Sequence, residues 1–332
     1  MRAFFDKKAL LHNPKVEIEV TRSRPYSETP KRLLVIEKAL RDLKVPIDYP
    51  SLTNDREFAL TLLSIHSGPY LQFIARSSGM TKPEAMPESY RYGGQLRFPT
   101  DTMAPELACG FFSSDDAAVW TKNVFASATA SAYSAFLAAK HAGTTGEVAI
   151  AITRPGHHAG RDMAAGYCFM NNAVVAARTI SPFSDRTLII DIDFHSASGT
   201  QQLLADMPEF SLLNFCGNPD TTYPYFSGRP GDSLHGNITN IPMNVGSDDN
   251  ATRTIEEISK VSPRTIVVSA GFDTGKGDPE GSFNYEAEDF FLIGEAIAKH
   301  SVPTVIVLEG GYNLSTLGKY FVAFLSAFRK DK

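Results

Sequence analysis

The sequence predicts an α/β fold in which a mainly parallel β-sheet lies between two layers of helices, a three-layer sandwich. Its 332 residues, 43% of them hydrophobic, are enough to bury a large core. Short apolar runs that end in polar or glycine-rich segments are typical of strands covered on both faces. Stretches with helical spacing alternate with these runs, and this alternation favours parallel strands joined through helices.

The apolar runs and the helical patterns between them place the individual elements. The predicted strands lie at residues 148–152, 188–193, 210–215, 265–270 and 304–308. The predicted helices lie at residues 115–141, 172–180, 251–261, 286–300 and 315–329. We expect residues 1–332 to form a single domain with one long loop insertion at about 78–111, a stretch rich in glycine, proline and polar residues. Such a loop is either functional, as a lid, substrate wall or partner-binding arm, or a tolerated surface insertion.

The composition argues against several classes of function. A net charge of −5 offers no basic surface for the phosphates of nucleic acid. The three cysteines, Cys109, Cys168 and Cys216, are too scattered for a disulfide framework or a cysteine-rich zinc site. Charges precede any signal-like apolar run, and no stretch approaches the roughly 20 apolar residues that span a bilayer. We therefore expect a cytoplasmic protein with no nucleic-acid partner and no membrane insertion.

Polar side chains directly follow four of the predicted strands. Open α/β sheets bind their ligands beyond the carboxyl ends of the strands, so these positions are candidates for a site. The four segments are Arg154-Pro155-Gly156-His157-His158, Asp191-Ile192-Asp193-Phe194-His195, Ala270-Gly271-Phe272-Asp273 and Glu309-Gly310-Gly311-Tyr312. Their chemistry is complementary, because together they offer metal ligands, a base and a hydroxyl donor.

Asp193 and His195 are candidate metal ligands. They are two residues apart in an extended segment, so their side chains project to the same face and can bind one ion. Asp273 could supply a third ligand. Two carboxylates and one imidazole, with positions left open for water and substrate, suit a catalytic zinc ion, although such a set also accepts iron or manganese. Each aspartate taken alone could instead be a helix cap or a turn former.

The adjacent His157 and His158 are candidates for a general base, which must lie near the attacked water and titrate near neutral pH. In an irregular loop behind a glycine both rings could reach one water, and otherwise they belong to the surface or the core. Tyr312 follows two glycines that let the backbone turn sharply. Its hydroxyl could stabilise an oxyanion, and the alternative is a tyrosine that only packs.

With these residues the chain resembles the arginase/deacetylase superfamily, and within it acetylpolyamine amidohydrolases and other histone deacetylase-like amidohydrolases. Besides the strand-end segments, the resemblance includes Glu28-Thr29-Pro30-Lys31-Arg32, His66-Ser67-Gly68-Pro69-Tyr70-Leu71, Gly166-Tyr167-Cys168-Phe169-Met170-Asn171-Asn172 and Gly199-Thr200-Gln201. It implies an arginase/deacetylase-like three-layer sandwich with one Zn²⁺ per chain and a structural K⁺. The implied reaction is hydrolysis of an acyl amide to a carboxylate and a free amine.

The resemblance also implies a role for each matching residue. The zinc ligands would be Asp193, His195 and Asp273, and the catalytic residues His157, His158 and Tyr312. Asp191 would orient His157 and contribute to the K⁺ site, while Ser198 would be the partner of His158. The substrate pocket would comprise Arg32, Asp101, Gly166, Tyr167 and Phe226, with Arg32 near the acetate-release end and Asp101 at the rim.

Two segments depart from the family pattern. Ser198 stands where the family has a larger polar partner, and a serine supplies no charge, so the tuning of the histidines should differ. This keeps open an alternative function, a non-catalytic zinc-containing protein that binds an acylated amine. Asn214-Phe215-Cys216 replaces the common Ser-Leu-His beside the K⁺ site. Arginase-type chemistry would need further ligands at Ala197 and Gly275, which cannot bind a metal, so one metal is favoured over two.

The substrate stays open between an acetylated small amine or polyamine and acetyl-lysine. The loop at residues 78–111 resembles an insertion that narrows the entrance and mediates dimerisation in acetylpolyamine amidohydrolases, so we expect a homodimer. Acidic residues of this loop could attract a cationic substrate, but basic residues of the same loop counter them. The acids are Glu84, Glu88 and Glu106, and the bases are Lys82, Arg91 and Arg97.

Overall fold

The structure, a computed structural model, describes residues 1–19, 22–87, 102–184, 186–247 and 249–329. Its strands are β1 (Arg2–Phe4), β2 (Val16–Glu19), β3 (Arg22–Pro25), β4 (Ile47–Asp48), β5 (Ala149–Ala151), β6 (Thr187–Asp191), β7 (Phe210–Gly217), β8 (Ile238–Met243), β9 (Thr265–Ala270) and β10 (Thr304–Leu308). Its α-helices are α1 (Lys31–Asp42), α2 (Arg56–Ile65), α3 (Gly68–Arg76), α4 (Pro105–Ala108), α5 (Val124–Thr145), α6 (Asn172–Ile180), α7 (Ser198–Leu204), α8 (Asn250–Ser259), α9 (Ala287–Ala298) and α10 (Leu317–Ser326).

Eight strands form one sheet in the order β4-β1-β5-β10-β9-β6-β7-β8, and every neighbouring pair runs parallel. Alternate residues of the central strands enter two separate hydrophobic clusters. Val267 packs with the helices α2, α3, α5 and α6, whereas Ile266 and Val268 pack with α1, α8, α9 and α10. A sheet covered on both faces by helices confirms the predicted three-layer α/β sandwich.

The predicted strands correspond to β5, β6, β7, β9 and β10, and the bounds of the last two are as predicted. The pattern missed β1 and β4 because strands of two or three residues contain too few side chains to show a period. It missed β8 because Asn240 and Pro242 interrupt its apolar run, and β8 is an edge strand, where proline is tolerated. The strands β2 and β3 form a separate antiparallel hairpin.

The helix predicted at residues 115–141 was wrong at its start, since α5 begins only at Val124. The preceding residues form turns, in which the Asp115 carboxylate accepts the N–H of Ala117 and of Gly166. The predicted insertion at 78–111 contains the short helix α4, and residues 88–101 lie outside the described part of the chain. Among the described residues, no helix has both the length and the apolar character that a membrane span requires.

Candidate active site

The four strand-end segments meet at one edge of the sheet. They follow β5, β6, β9 and β10, which are neighbours in the order β5-β10-β9-β6, and parallel strands place their carboxyl ends at a common edge. A cavity of about 770 Å³ opens there. Six of the predicted site residues contribute to its lining: His158, Gly166, Tyr167, His195, Phe226 and Tyr312.

Asp193, His195 and Asp273 converge at the floor of this cavity. One ligand-type atom from each lies within 4.8 Å of the others. The Nδ1 atom of His195 is 3.2 Å from Oδ1 of Asp193 and 3.1 Å from Oδ2 of Asp273. Both aspartates are fully buried, while the His195 side chain is 15% exposed. The three side chains predicted as metal ligands are therefore close enough to share one ion.

The backbone around the two carboxylates leaves room for them and orients them. A Cβ atom at Gly310 would lie 2.5 Å from a carboxylate oxygen of both Asp193 and Asp273, so a larger residue would collide with both. The N–H of Gly310 donates to Asp193 at 2.8 Å, and the N–H of Phe194 donates to Asp273 at 3.1 Å. These bonds fix the carboxylates and leave their other oxygens directed at His195.

The electrostatics of the three residues fit a bound cation. Burial and the charge of Asp193 raise the pKa of Asp273 to about 7. Burial alone would also raise the pKa of Asp193, but the charge on His157 and the hydrogen bonds from His195 outweigh it and hold that pKa below its usual range. Two buried carboxylates repel each other, and a divalent ion relieves that repulsion. Their donor set, two carboxylates and an imidazole, suits zinc.

The rings of His157 and His158 lie side by side, tilted by 48° with centroids 4.0 Å apart, but their partners differ. Nδ1 of His157 lies 3.2 Å from a carboxylate oxygen of Asp191. Nδ1 of His158 lies 3.1 Å from the hydroxyl of Ser198. The predicted partners, Asp191 for His157 and Ser198 for His158, thus contact their histidines. Only His157 has a charged partner.

This difference separates the pKa values of the two rings. Burial would lower the pKa of His157, but the carboxylates of Asp193 and Asp191 outweigh it and raise the pKa to about 10. Burial and the positive charges on His157 and His195 hold the pKa of His158 well below its usual range. His158, which lines the cavity, is therefore neutral and keeps a free lone pair at neutral pH.

Tyr312 faces the cavity from the segment that follows β10. Its ring lies 5.6 Å from the ring of Tyr167 and 4.8 Å from the guanidinium of Arg32. The carboxylate of Asp278 accepts the N–H of Tyr312 at 2.6 Å and that of Asn313 at 2.9 Å. The backbone and the ring of Tyr312 are thus both held by neighbouring residues.

The other predicted pocket residues fall in three places. Gly166 and Tyr167 form a cavity wall with φ values of 46° and 69°, and a Cβ atom at Gly166 would lie 2.4 Å from the His158 ring. Phe226 belongs to the rim, because it is 66% exposed. Arg32 is buried behind Tyr312, where its Nε donates to the carbonyl of Gly311 at 2.5 Å. Asp101 lies outside the described residues.

The chain is similar to known proteins over most of its length. Residues 26–328 match the model of the histone deacetylase domain. The chain belongs to the histone deacetylase domain family. The acetylpolyamine amidohydrolase of Mycoplana ramosa is 30% identical, over 96% of each chain. Acetylpolyamine amidohydrolase 1 of Pseudomonas aeruginosa is 32% identical, over 80% of this chain and 82% of the relative. A crystal structure of acetylpolyamine aminohydrolase from Burkholderia pseudomallei superposes with a TM-score of 0.89 at 26% identity, covering 99% and 98%.

Membership in the histone deacetylase domain family confirms the resemblance predicted from the sequence and, with it, the expectation of an enzyme of the deacetylase class. Four residues that touch this site had no predicted role: Asp115, Tyr223, Asp278 and Glu309. The position of Glu309 directly after β10 was a signal for it, as was the Gly-Asp-Pro turn for Asp278. No local pattern marks Tyr223, whose ring lies 5.0 Å from that of His158 and whose hydroxyl donates to Asp115 at 2.5 Å.

Proposed function

We propose that this protein is a zinc-dependent deacylase. It hydrolyses the N-acetyl or short acyl amide of a small amine, a polyamine or acetyl-lysine to a carboxylate and a free amine. The single observation that carries the proposal is the convergence of the three ligand-type side chains, within 4.8 Å, on a cavity that His158 and Tyr312 also line.

Asp193, His195 and Asp273 would hold the zinc ion. When bound, zinc supplies a Lewis acid that polarises the amide carbonyl and lowers the pKa of water toward about 7. The protein contributes three fixed ligands. The other coordination positions of the zinc ion would face the cavity and stay open to water and substrate.

His158 is the proposed general base. Its Nδ1 is occupied by Ser198, so its Nε2 is the nitrogen left to accept the proton of the attacking water. His157 is the proposed proton donor and electrostatic partner, because Asp191 and Asp193 favour its charged form. As the carbon–nitrogen bond breaks, a protonated histidine of the pair transfers its proton to the leaving amine.

Tyr312 is the proposed oxyanion donor. Burial raises the pKa of its hydroxyl well above the usual value, so the proton stays on the oxygen and can be donated to the charge that develops on the carbonyl oxygen. Arg32, 4.8 Å from the ring, adds a positive charge on the far side. The hydroxyl therefore acts mainly in the transition state.

The cavity walls suit an unbranched alkyl amine. Tyr167 and Gly166 offer a flat surface for methylene groups, and Phe226 would contact the substrate at the rim. The relatives named acetylpolyamine amidohydrolase support a small acylated amine as substrate. We also propose a single domain spanning residues 1–332, assembly as a homodimer and a cytoplasmic location.

A structural K⁺ is less well matched to the side chains than zinc is. Asp191 could contribute to such a site, as the family resemblance implies. The amide of Asn214, however, donates to Ser196 at 3.2 Å and to Asn240 at 2.8 Å, and its oxygen accepts the N–H of Ala197. Because these partners already occupy the amide, we assign K⁺ no part in the chemistry.

A second candidate function is a zinc-containing protein that binds an acylated amine without turnover. The observation that favours it is the partner of His158, since the Ser198 hydroxyl cannot stabilise a positive charge on the ring as a carboxylate would. This candidate predicts tight binding of acylated amines and no release of product.

The test is the release of free amine from a panel of N-acetylated polyamines and an acetyl-lysine peptide, with zinc-reconstituted wild type beside Tyr312→Phe. Tyr285→Phe is the matched control, because it removes a buried hydroxyl that is bonded to Thr254 away from the cavity. We expect turnover in the wild type, largely retained in the control and lost in Tyr312→Phe. Turnover of the peptide alone would move the substrate toward proteins. A zinc-loaded wild type that releases no amine would refute the deacylase and favour the binding protein.

A further inference from the structure

Glu309 is a fully buried carboxylate to which the mechanism above gives no role. It directly follows β10, and its Oε2 accepts the N–H of Gly156 at 2.6 Å and that of His157 at 3.1 Å. Its Oε1 has no hydrogen-bond partner among the described residues. Burying a carboxylate is costly, and an unpartnered oxygen adds to the cost. Stability alone therefore does not account for a glutamate here.

Further along, the loop that carries the two histidines is held largely through its carbonyl groups. The N–H of Thr200 donates to the carbonyl of His157 at 3.0 Å. Asn171 donates to the carbonyl of Ala159 at 3.2 Å, and His66 bonds the carbonyl of Gly160 at 2.9 Å. In the described part of the chain, Glu309 is the acceptor for the two N–H groups at the start of the loop. The N–H groups of Gly160 and Arg161, beyond the histidines, bond Met163 and Gln202 instead. Glu309 thus holds the backbone at the histidine pair itself.

The backbone of Glu309 belongs to the segment that carries Tyr312. The next residue, Gly310, donates its N–H to Asp193, and Arg32 bonds the carbonyl groups of Glu309 and Gly311. The main chain around Glu309 is therefore tied to the proposed zinc ligand Asp193 and, through Arg32, to the segment of Tyr312. The Glu309 side chain is tied to the backbone of the loop that carries His157 and His158. One residue spans the distance between the proposed base and the proposed oxyanion donor.

We propose that Glu309 is a positioning residue that sets the placement of the His157-His158 loop relative to Tyr312. This rests on the proposed function, because base and oxyanion donor must engage the same amide. Backbone N–H bonds to a buried carboxyl oxygen are directional, which suits a spacer of fixed length. A misplacement of about 1 Å among reacting groups can lower a rate about a hundredfold.

The test compares Glu309→Ala and Glu309→Gln with wild type. Alanine removes both contacts, whereas glutamine keeps an acceptor oxygen without the charge. We expect alanine to lower kcat about a hundredfold while KM changes by less than about threefold. Hydrogen–deuterium exchange at the amides of Gly156 and His157 should become faster in the alanine variant. Glutamine should restore most of the protection and keep kcat within about tenfold of wild type.

Glu37→Gln is the matched control, because Glu37 is a buried carboxylate that pairs with Lys7 and Arg41 outside the cavity. It should change neither kcat nor the exchange of the histidine loop. Wild-type kcat or unchanged exchange in Glu309→Ala would overturn the proposal. If alanine prevents folding, a glutamine variant with full amide protection and a hundredfold loss of kcat would overturn it too, since charge would then matter rather than position. An inert wild type would refute the deacylase, while the exchange data would still decide whether Glu309 fixes the loop.

Discussion

His66 should make the fold sensitive to mild acid. Its side chain is fully buried, and both ring nitrogens have partners. Nδ1 lies 2.9 Å from the carbonyl of Gly160, and Nε2 lies 3.1 Å from the backbone nitrogen of Asn171. Nδ1 must donate and Nε2 must accept, so the ring is neutral. A second proton on Nε2 would face the N–H of Asn171 and break that bond.

The size of the effect follows from the pKa of the ring. Burial lowers the pKa of His66 from 6.5 to about 4. Because the folded value is below the unfolded one, the unfolded chain binds more protons between these limits. The stability due to neutral His66 is fully present above about pH 6.5 and is lost as the pH falls toward about 4. Each pH unit in that window changes the free energy of unfolding by about 1.4 kcal/mol, so the whole window is worth roughly 3 kcal/mol.

The assay is urea denaturation of wild type and His66→Gln at several values between about pH 7 and pH 4.5. At each pH, the difference between the free energies of unfolding of wild type and His66→Gln isolates the effect of His66. All other titrating groups are common to both proteins. We expect wild type to be more stable near neutral pH and its advantage to shrink steadily in acid. The exposed His235 provides the control substitution, His235→Gln, which should match wild type throughout. A wild-type advantage that stays constant with pH would refute the reasoning.

Three further predictions concern the site. Ser198→Asp should place a carboxylate beside His158 and raise the pKa of that ring. The optimum of the pH–rate profile should then move upward by about one unit. An unchanged profile would contradict a contact between residue 198 and His158. Asp278→Ala should lower kcat about tenfold in steady-state kinetics with little change in KM, because Tyr312 loses its backbone acceptor; unaltered kcat would show that the tyrosine is held by its ring alone. Asp193→Asn should cut the zinc content well below one ion per chain in elemental analysis, and full occupancy would exclude Asp193 as a ligand.

The long central strands could be predicted from the sequence because they are buried on both faces. The runs at residues 265–270 and 304–308 consist almost entirely of apolar or β-branched residues, and the structure reproduces their bounds. The strand β4 has only two residues, and its pairing with β1 depends on tertiary contacts. The start of α5 was predicted too early because Asp115 uses its carboxylate to stabilise a turn and the cavity wall instead of a helix.

The convergence of the site could be predicted for the same reason. Side chains that directly follow adjacent parallel strands must share an edge, so Asp193 and Asp273 are close together although they are far apart in the chain. Contacts made by loops could not be predicted, because nothing local marks them. Tyr223 reaches His158 from a loop without periodicity, and the partner of Glu309 is a pair of backbone N–H groups that have no sequence signature.

The position of β10 in the sheet bears on how the chain is made. A ribosome synthesises β10 after all the other described strands, yet β10 pairs between β5 and β9 in the middle of the sheet. Until it emerges, the nascent polypeptide has two half-sheets whose inner edges are unpaired and apolar, a condition that invites aggregation and chaperone binding. The same stretch delivers Tyr312 immediately afterwards. Closure of the sheet and completion of the proposed catalytic centre therefore coincide, and we expect a prematurely terminated product to be inactive and prone to aggregation.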